Sequence, residues 1–194
     1  MFPTPRTMPA LVCAALVTLA GCSSSPAADD TTPRTQHSPV QQRTAHPTAP
    51  ARVTIPSIGV SSPVMELGLN DDRTVEVPPA DQGMTTGWYT GSSVPGERGA
   101  AVLIGHNETR HGKAVFWDLR KIRKGADVAV EDGQGNTVRF TVTATETVSK
   151  TAFPSRKVYG PTDDRALRLI TCDGLYDSEG HTVDNLIVYA TAAD

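Results

Sequence analysis

The sequence predicts an all-β domain, and three observations carry that prediction. Short β-branched and aliphatic runs recur from Ala51 onward, separated by Gly, Pro, Asn and Asp. One stretch, "VAVEDGQGNTVRFTVTAT", alternates apolar and polar residues and carries Asp-Gly and Gly-Asn at its centre, a strong hairpin signal. Helical phasing is confined to a single segment. Short strands at regular spacing with few helices point to a closed or sandwiched β fold.

The strand candidates, in chain order, are "RVTIPSIGV", "TVEVPP", "AAVLIGH", the two arms of the alternating hairpin, "ALRLITC" and "NLIVYATA". Between them, "AVFWDLRKIRKG", Ala114 to Gly125, places Phe116, Leu119 and Ile122 in helical phase with Gly125 as a stop, and a helix is expected there. No internal repeat is visible. A chain of 194 residues, 38% hydrophobic and 20% charged, suits one globular domain.

Ahead of that domain the composition changes twice. The opening "MFPTPRTMPALVCAALVTLAGCSSS" pairs Arg6 with an apolar run from Ala10 to Ala20 and small residues, an export signal. The run is about half the ~20 residues that a spanning helix needs. Its end, "LAGC", resembles the bacterial lipobox, in which the cysteine is diacylated and becomes the mature N-terminus. Residues 1–21 are therefore expected to be cleaved, and Cys22 to carry the lipid that holds the protein on the outer face of the cell membrane. Residues 22–50, rich in Pro, Ser, Thr and Ala, lack the apolar side chains to order themselves and are expected to form a disordered tether.

Charge and cysteine usage narrow the function. A net charge of −3 with no basic run argues against a nucleic-acid partner. Of the three cysteines, Cys13 lies in the signal and Cys22 at the lipobox, leaving Cys172 unpaired in the folded part. No cofactor or metal site is expected, since His106, His111 and His181 lack a cysteine pair at ligand spacing, and Glu108, Asp163 and Asp164 lack the spacing of a calcium loop. Two apolar strands end on reactive side chains, "AAVLIGH" on His106 and "ALRLITC" on Cys172. A thiol needs a neighbouring base or cation to act near neutral pH, and imidazole supplies either.

"IPSIGV", "GWYTGSSVPGERGAAVLIGHNE", "AVFWDL", "FPSRKVYGPTDDRALRLITCDG" and "DNLIVYAT" together resemble the sortase family of cysteine transpeptidases over residues 51–194. Their phrasing is most similar to the actinobacterial class E and F members. The resemblance implies an eight-stranded β-barrel with one or two short helices, and a groove at whose rim His106 and Cys172 face each other. It also implies that the thiolate cleaves the Thr–Gly bond of an LPXTG-like sorting signal on a secreted protein, forming a thioester. An amine on a peptidoglycan precursor or a pilin then resolves that acyl-enzyme.

The sequence departs from the family pattern at one place. Sortases carry an arginine on the final strand, where this chain has Val183 and Asn185. Arg168, four residues before Cys172 and so on the same face of an extended strand, is the candidate substitute, with a surface role as the alternative. Asp173 is expected on the opposite face. A barrel that only binds sorting signals, and a cysteine hydrolase that releases its acyl group to water, are the two rival readings.

Overall fold

The computed structural model describes residues 48–178, 180 and 182–192. The export signal, Cys22, most of the tether and His181 lie outside the described residues. The strands are β1 (Pro50–Ile55), β2 (Val60–Leu67), β3 (Thr86–Tyr89), β4 (Gly99–Ile104), β5 (Glu108–Thr109), β6 (Gly112–Lys113), β7 (Asp127–Asp132), β8 (Thr137–Ser149), β9 (Arg165–Tyr176) and β10 (Thr182–Ala192). One short helix, α1 (Ser155–Tyr159), lies between β8 and β9. Eight strands close a barrel in the order β1-β2-β3-β4-β9-β10-β8-β7, while β5 and β6 form a separate ribbon. The β2–β3 and β4–β9 pairs are parallel, and the other barrel pairs are antiparallel.

Strand alternation divides the apolar residues into two clusters. Ala101 and Leu103 of β4, Leu167 and Leu169 of β9, and Leu186, Val188 and Ala190 of β10 point inward, where they meet Val53, Phe116, Leu119 and Phe140. Phe116 and Phe140 are the largest of the fully buried side chains, and truncating either to alanine is worth about 3–5 kcal/mol. The outward positions of the same three strands are also apolar: Val102, Ile170, Ile187 and Tyr189, covered by Val158 and flanked by Tyr89, Ile104, Val148 and Phe153. Both faces of β4, β9 and β10 are therefore buried, which explains why "AVLI" and "LRLIT" read as nearly continuous apolar runs.

The hairpin expected from "VAVEDGQGNTVRFTVTAT" is β7–β8. Its turn is held by the buried Asp132 carboxylate, which accepts from the backbone N–H of Gln134 and of Asn136 at 2.9 Å each. These bonds hold the carboxyl far below the ordinary range, with the Asn136 side-chain amide the largest cause.

Three expectations are corrected. Residues 114–125 do not form an α-helix: they run through turns and a 3-10 turn at Leu119–Lys121, with bonds from Trp117 N–H to Ala114, Leu119 N–H to Phe116 and Ile122 N–H to Leu119. A 3-10 turn has three residues per turn, so Phe116, Leu119 and Ile122 fall on one face and are all buried in the barrel. Neither "reactive" strand ends on its reactive residue. β4 stops at Ile104, two residues before His106, and β9 runs past Cys172 to Tyr176 through a bulge at which Gly174 has φ +84°. Finally, Pro50, taken as the end of the tether, is already in β1.

Candidate active site

The parallel register of β4 and β9 brings the two reactive side chains together. Ile104 pairs with Ile170, and His106 and Cys172 each lie two residues further along. Parallel strands advance in step, so equal offsets place the imidazole and the thiol side by side across one strand spacing, about 4.8 Å. The Gly105 N–H extends the pairing by donating to the Ile170 carbonyl at 3.1 Å. Glycine is required at 105 because a Cβ there would stand 2.6 Å from the Phe116 ring and 2.7 Å from Val115. On the other flank, Cys172 is paired directly with Asn185 of β10, and Asn185 with Val148 of β8. His106, Cys172, Asn185 and Val148 thus form one row across the outside of the barrel.

His106 is held through its ring and through its backbone. Its Nε2 lies 2.6 Å from the Pro78 carbonyl, and its own carbonyl accepts from the Phe116 N–H at 2.9 Å. A carbonyl only accepts, so Nε2 carries the proton and Nδ1 remains as the basic nitrogen of the neutral ring. Pro78 belongs to the stretch between β2 and β3, whose tip is closed by the Thr74 N–H bond to Asp72 and by Arg73 in the left-handed region at φ 68°.

Two clefts meet at Cys172. The first, of about 410 Å³, is mainly apolar, with Val75, Val77, Ile104, Phe153, Tyr159 and Ile170 leading to His106, Cys172 and Asn185. Its size falls in the range of ligand-binding clefts. The second, of about 370 Å³, is bounded by Asn107, Glu108, Arg110, Tyr176 and Thr182. There the Tyr176 hydroxyl donates to Glu108 Oε2 at 2.8 Å, tying β9 to the β5–β6 ribbon and raising the phenol above its usual pKa.

The structure does not bring Arg168 to this site. It shares the outer face with Cys172, but four extended residues separate them by about 13 Å. Tyr189, its partner in the β9–β10 register, captures the guanidinium over its ring at 4.9 Å. Arg168 Nη1 donates to the Leu167 carbonyl at 3.1 Å, and burial pulls the guanidinium below its usual pKa. It lines neither cleft that reaches the thiol.

The remaining candidates separate. Asp173 points to the other face and accepts from the Thr147 hydroxyl at 3.2 Å. Trp88 of β3, which lines neither cleft, is buried in the barrel with its indole N–H donating to the Ser93 carbonyl at 3.1 Å. His111 is exposed and receives the Arg110 Nε–H at 3.1 Å. Asp163 pairs with Arg98, away from Glu108, and among the described residues no three His, Cys, Asp or Glu side chains gather as a metal site. Among the described residues, too, no helix is long and apolar enough to cross a membrane. Phe153, Tyr159, Pro78 and Lys150 were not singled out from the sequence. They reach the site from loops, a 3-10 turn and the last residue of the five-residue α1, whose paths no strand periodicity encodes.

Comparison with known proteins agrees with this fold. A sortase-domain family model matches residues 53–193. Among solved structures, a lid mutant of sortase A from Corynebacterium diphtheriae superposes with a TM-score of 0.59 at 22% identity, over 79% of this chain and 74% of that one. Sortase C-1 from Actinomyces oris gives 0.58 at 26% identity, over 74% and 71%. The Group B Streptococcus pilus island 1 sortase C2 gives 0.57 at 24% identity, over 74% and 73%. No protein of curated function matches the sequence.

Proposed function

The chain belongs to the sortase family, cysteine transpeptidases of the bacterial cell envelope, and on that footing we propose that Cys172 and His106 carry out acyl transfer on a sorting signal. The observation that supports this most is the shared parallel offset, which sets imidazole beside thiol at the end of an apolar cleft.

In this reading His106 Nδ1 takes the thiol proton, and the Cys172 thiolate adds to the carbonyl carbon of the scissile amide. The imidazolium returns its proton to the departing amine as the C–N bond breaks, leaving a thioester on Cys172. An incoming amine, from a peptidoglycan precursor or a pilin, adds to the thioester while His106 accepts its proton, and the thiolate leaves. The apolar cleft suits the aliphatic residues of an LPXTG-like signal, and the second cleft gives the amine an approach from the other side of the thiol. Lipidation of Cys22, supported by "LAGC", would hold the enzyme at the outer face of the cell membrane. Arg168, stacked on Tyr189 outside both clefts, has a structural role on the outer face of the barrel.

The test is incubation of the purified chain with an LPXTG-type peptide library and an amine, products being read by mass spectrometry beside Cys172→Ala. A transfer product that the variant cannot make is expected. Free carboxylate in place of transfer product would make the protein a hydrolase. Wild type and Cys172→Ala both leaving every peptide intact would reduce it to a binding module.

A further inference from the structure

Addition of the thiolate moves the carbonyl π pair onto oxygen, and that charge needs a donor in a water-poor cleft. His106 is committed to the Pro78 carbonyl through Nε2 and to proton transfer through Nδ1. Asn185, beside the thiol, is neutral. We propose that the Lys150 ammonium is the cation that receives the oxyanion, an assignment that rests on the acyl-transfer reading of Cys172.

Three observations place it there. Cys172 and Lys150 are the two residues that the apolar cleft and the second cleft have in common, so the lysine stands at the junction of the two clefts with the thiol. The row His106–Cys172–Asn185 continues to Val148, and Lys150 follows two residues on, in the 3-10 turn Lys150–Ala152 that caps β8. Its Nζ donates at 3.0 Å to the hydroxyl of Thr182, which lines the second cleft with Cys172. That partner is neutral, and Lys150 enters none of the ion pairs formed among the described residues, so its charge is uncompensated by a carboxylate. Arg110, the other cation of the second cleft, does not reach the apolar one and is bonded to His111.

During acylation the oxyanion replaces the Thr182 hydroxyl as acceptor of the Lys150 N–H. When the electron pair returns and the C–N bond breaks, the proton on the departing amine comes from His106, and Lys150 keeps all of its own. The lysine therefore touches the reacting oxygen without exchanging a proton.

A p-nitrophenyl ester tests this apart from peptide recognition, because its leaving group needs no proton from His106. The burst of nitrophenol and the mass of acyl-Cys172 are followed in wild type, Lys150→Met and Lys150→Arg, with an LPXTG-type peptide run in parallel. Lys150→Met is expected to slow acylation by about 10- to 100-fold with KM nearly unchanged, below the loss of a rigid oxyanion donor because Lys150 is exposed. Lys150→Arg should keep most of the rate, and added salt should slow wild type toward the Met variant. Equal rates in wild type and Lys150→Met, or an Arg variant as slow as Met, would overturn the assignment. Lys150-dependent ester acylation without cleavage of any peptide would instead sink the transpeptidase reading and leave the lysine's role standing. No acyl-Cys172 in wild type would overturn both.

Discussion

Arg168 and Cys172 lie on the same outer face of β9, and their surroundings differ sharply. Around Arg168 every neighbour is engaged: Tyr189 lies beneath the guanidinium and also beneath Lys157, and its hydroxyl donates to Glu146 at 2.9 Å, to which Lys157 is paired. Around Cys172 the face opens into two clefts, and the side chains that reach them, His106, Asn185 and Lys150, come from three different elements. One end of the strand lies under a cluster of cation–ring and ion-pair contacts that docks α1 on the barrel. The other keeps reactive groups accessible. A charge useful to chemistry has to be near the reacting atoms, and Arg168 fails on distance: its buried Nε has no hydrogen-bond partner among the described residues, but it lines neither cleft that reaches the thiol.

The sharpest way to break this contrast is at His106. His106→Gln places an amide N–H where Nε2 stands and keeps a hydrogen bond to the Pro78 carbonyl but cannot carry a proton, so peptide cleavage should fall by about 10²–10⁴-fold while the melting temperature hardly moves. Steady-state kinetics beside thermal melts check it, and a loss under tenfold would remove His106 from proton transfer. Next in size is Gly105→Ala. The added Cβ meets Phe116 and Val115, so a destabilisation of about 1–3 kcal/mol in urea unfolding should accompany a loss of activity as the His106 backbone shifts. Full stability would show that the Ile104–His106 stretch has room the structure does not give it.

Arg168→Met sharpens the comparison from the other end. Losing the contact with Tyr189 should cost about 1 kcal/mol, a fall of a few degrees in Tm, with kcat within about threefold of wild type. A large drop in kcat at unchanged stability would return Arg168 to the site. The smallest effect is one of pH. The Glu146 carboxyl is held below its ordinary range first by Lys157 and then by Tyr189. A lowered folded pKa means that its stabilisation is present above the unfolded value, about 4.3, and is lost as pH falls through the folded one. The Tm gap between wild type and Glu146→Gln should therefore be widest near neutrality and shrink below about pH 4. A gap that stays constant with pH would show that shape, not charge, holds α1 in place.

Much of this was legible in the residues. The alternation of "VAVEDGQGNTVRFTVTAT" is a local property of the pleat, and the β7–β8 hairpin follows from it. The nearly continuous apolar runs of "AVLI" and "LRLIT" signal strands buried on both faces, as β4 and β9 are. The misreadings share a cause. Phe116, Leu119 and Ile122 have a spacing that a helix and a series of 3-10 turns both satisfy, and only the barrel wall decides between them. Arg168 shares the outer face with the thiol, since period two fixes faces, but its capture by Tyr189 depends on the strand beside it.

Composition and periodicities within single strands are enough to fix the all-β class and to single out Cys172 and His106 as the residue types able to do chemistry. Tertiary structure alone decided that His106 and Cys172 are neighbours and that Lys150, not Arg168, reaches the thiol's clefts. Both depend on which strands lie side by side and in what register. Register is set by packing across the whole barrel, and residues 66 positions apart in the chain carry no local record of it.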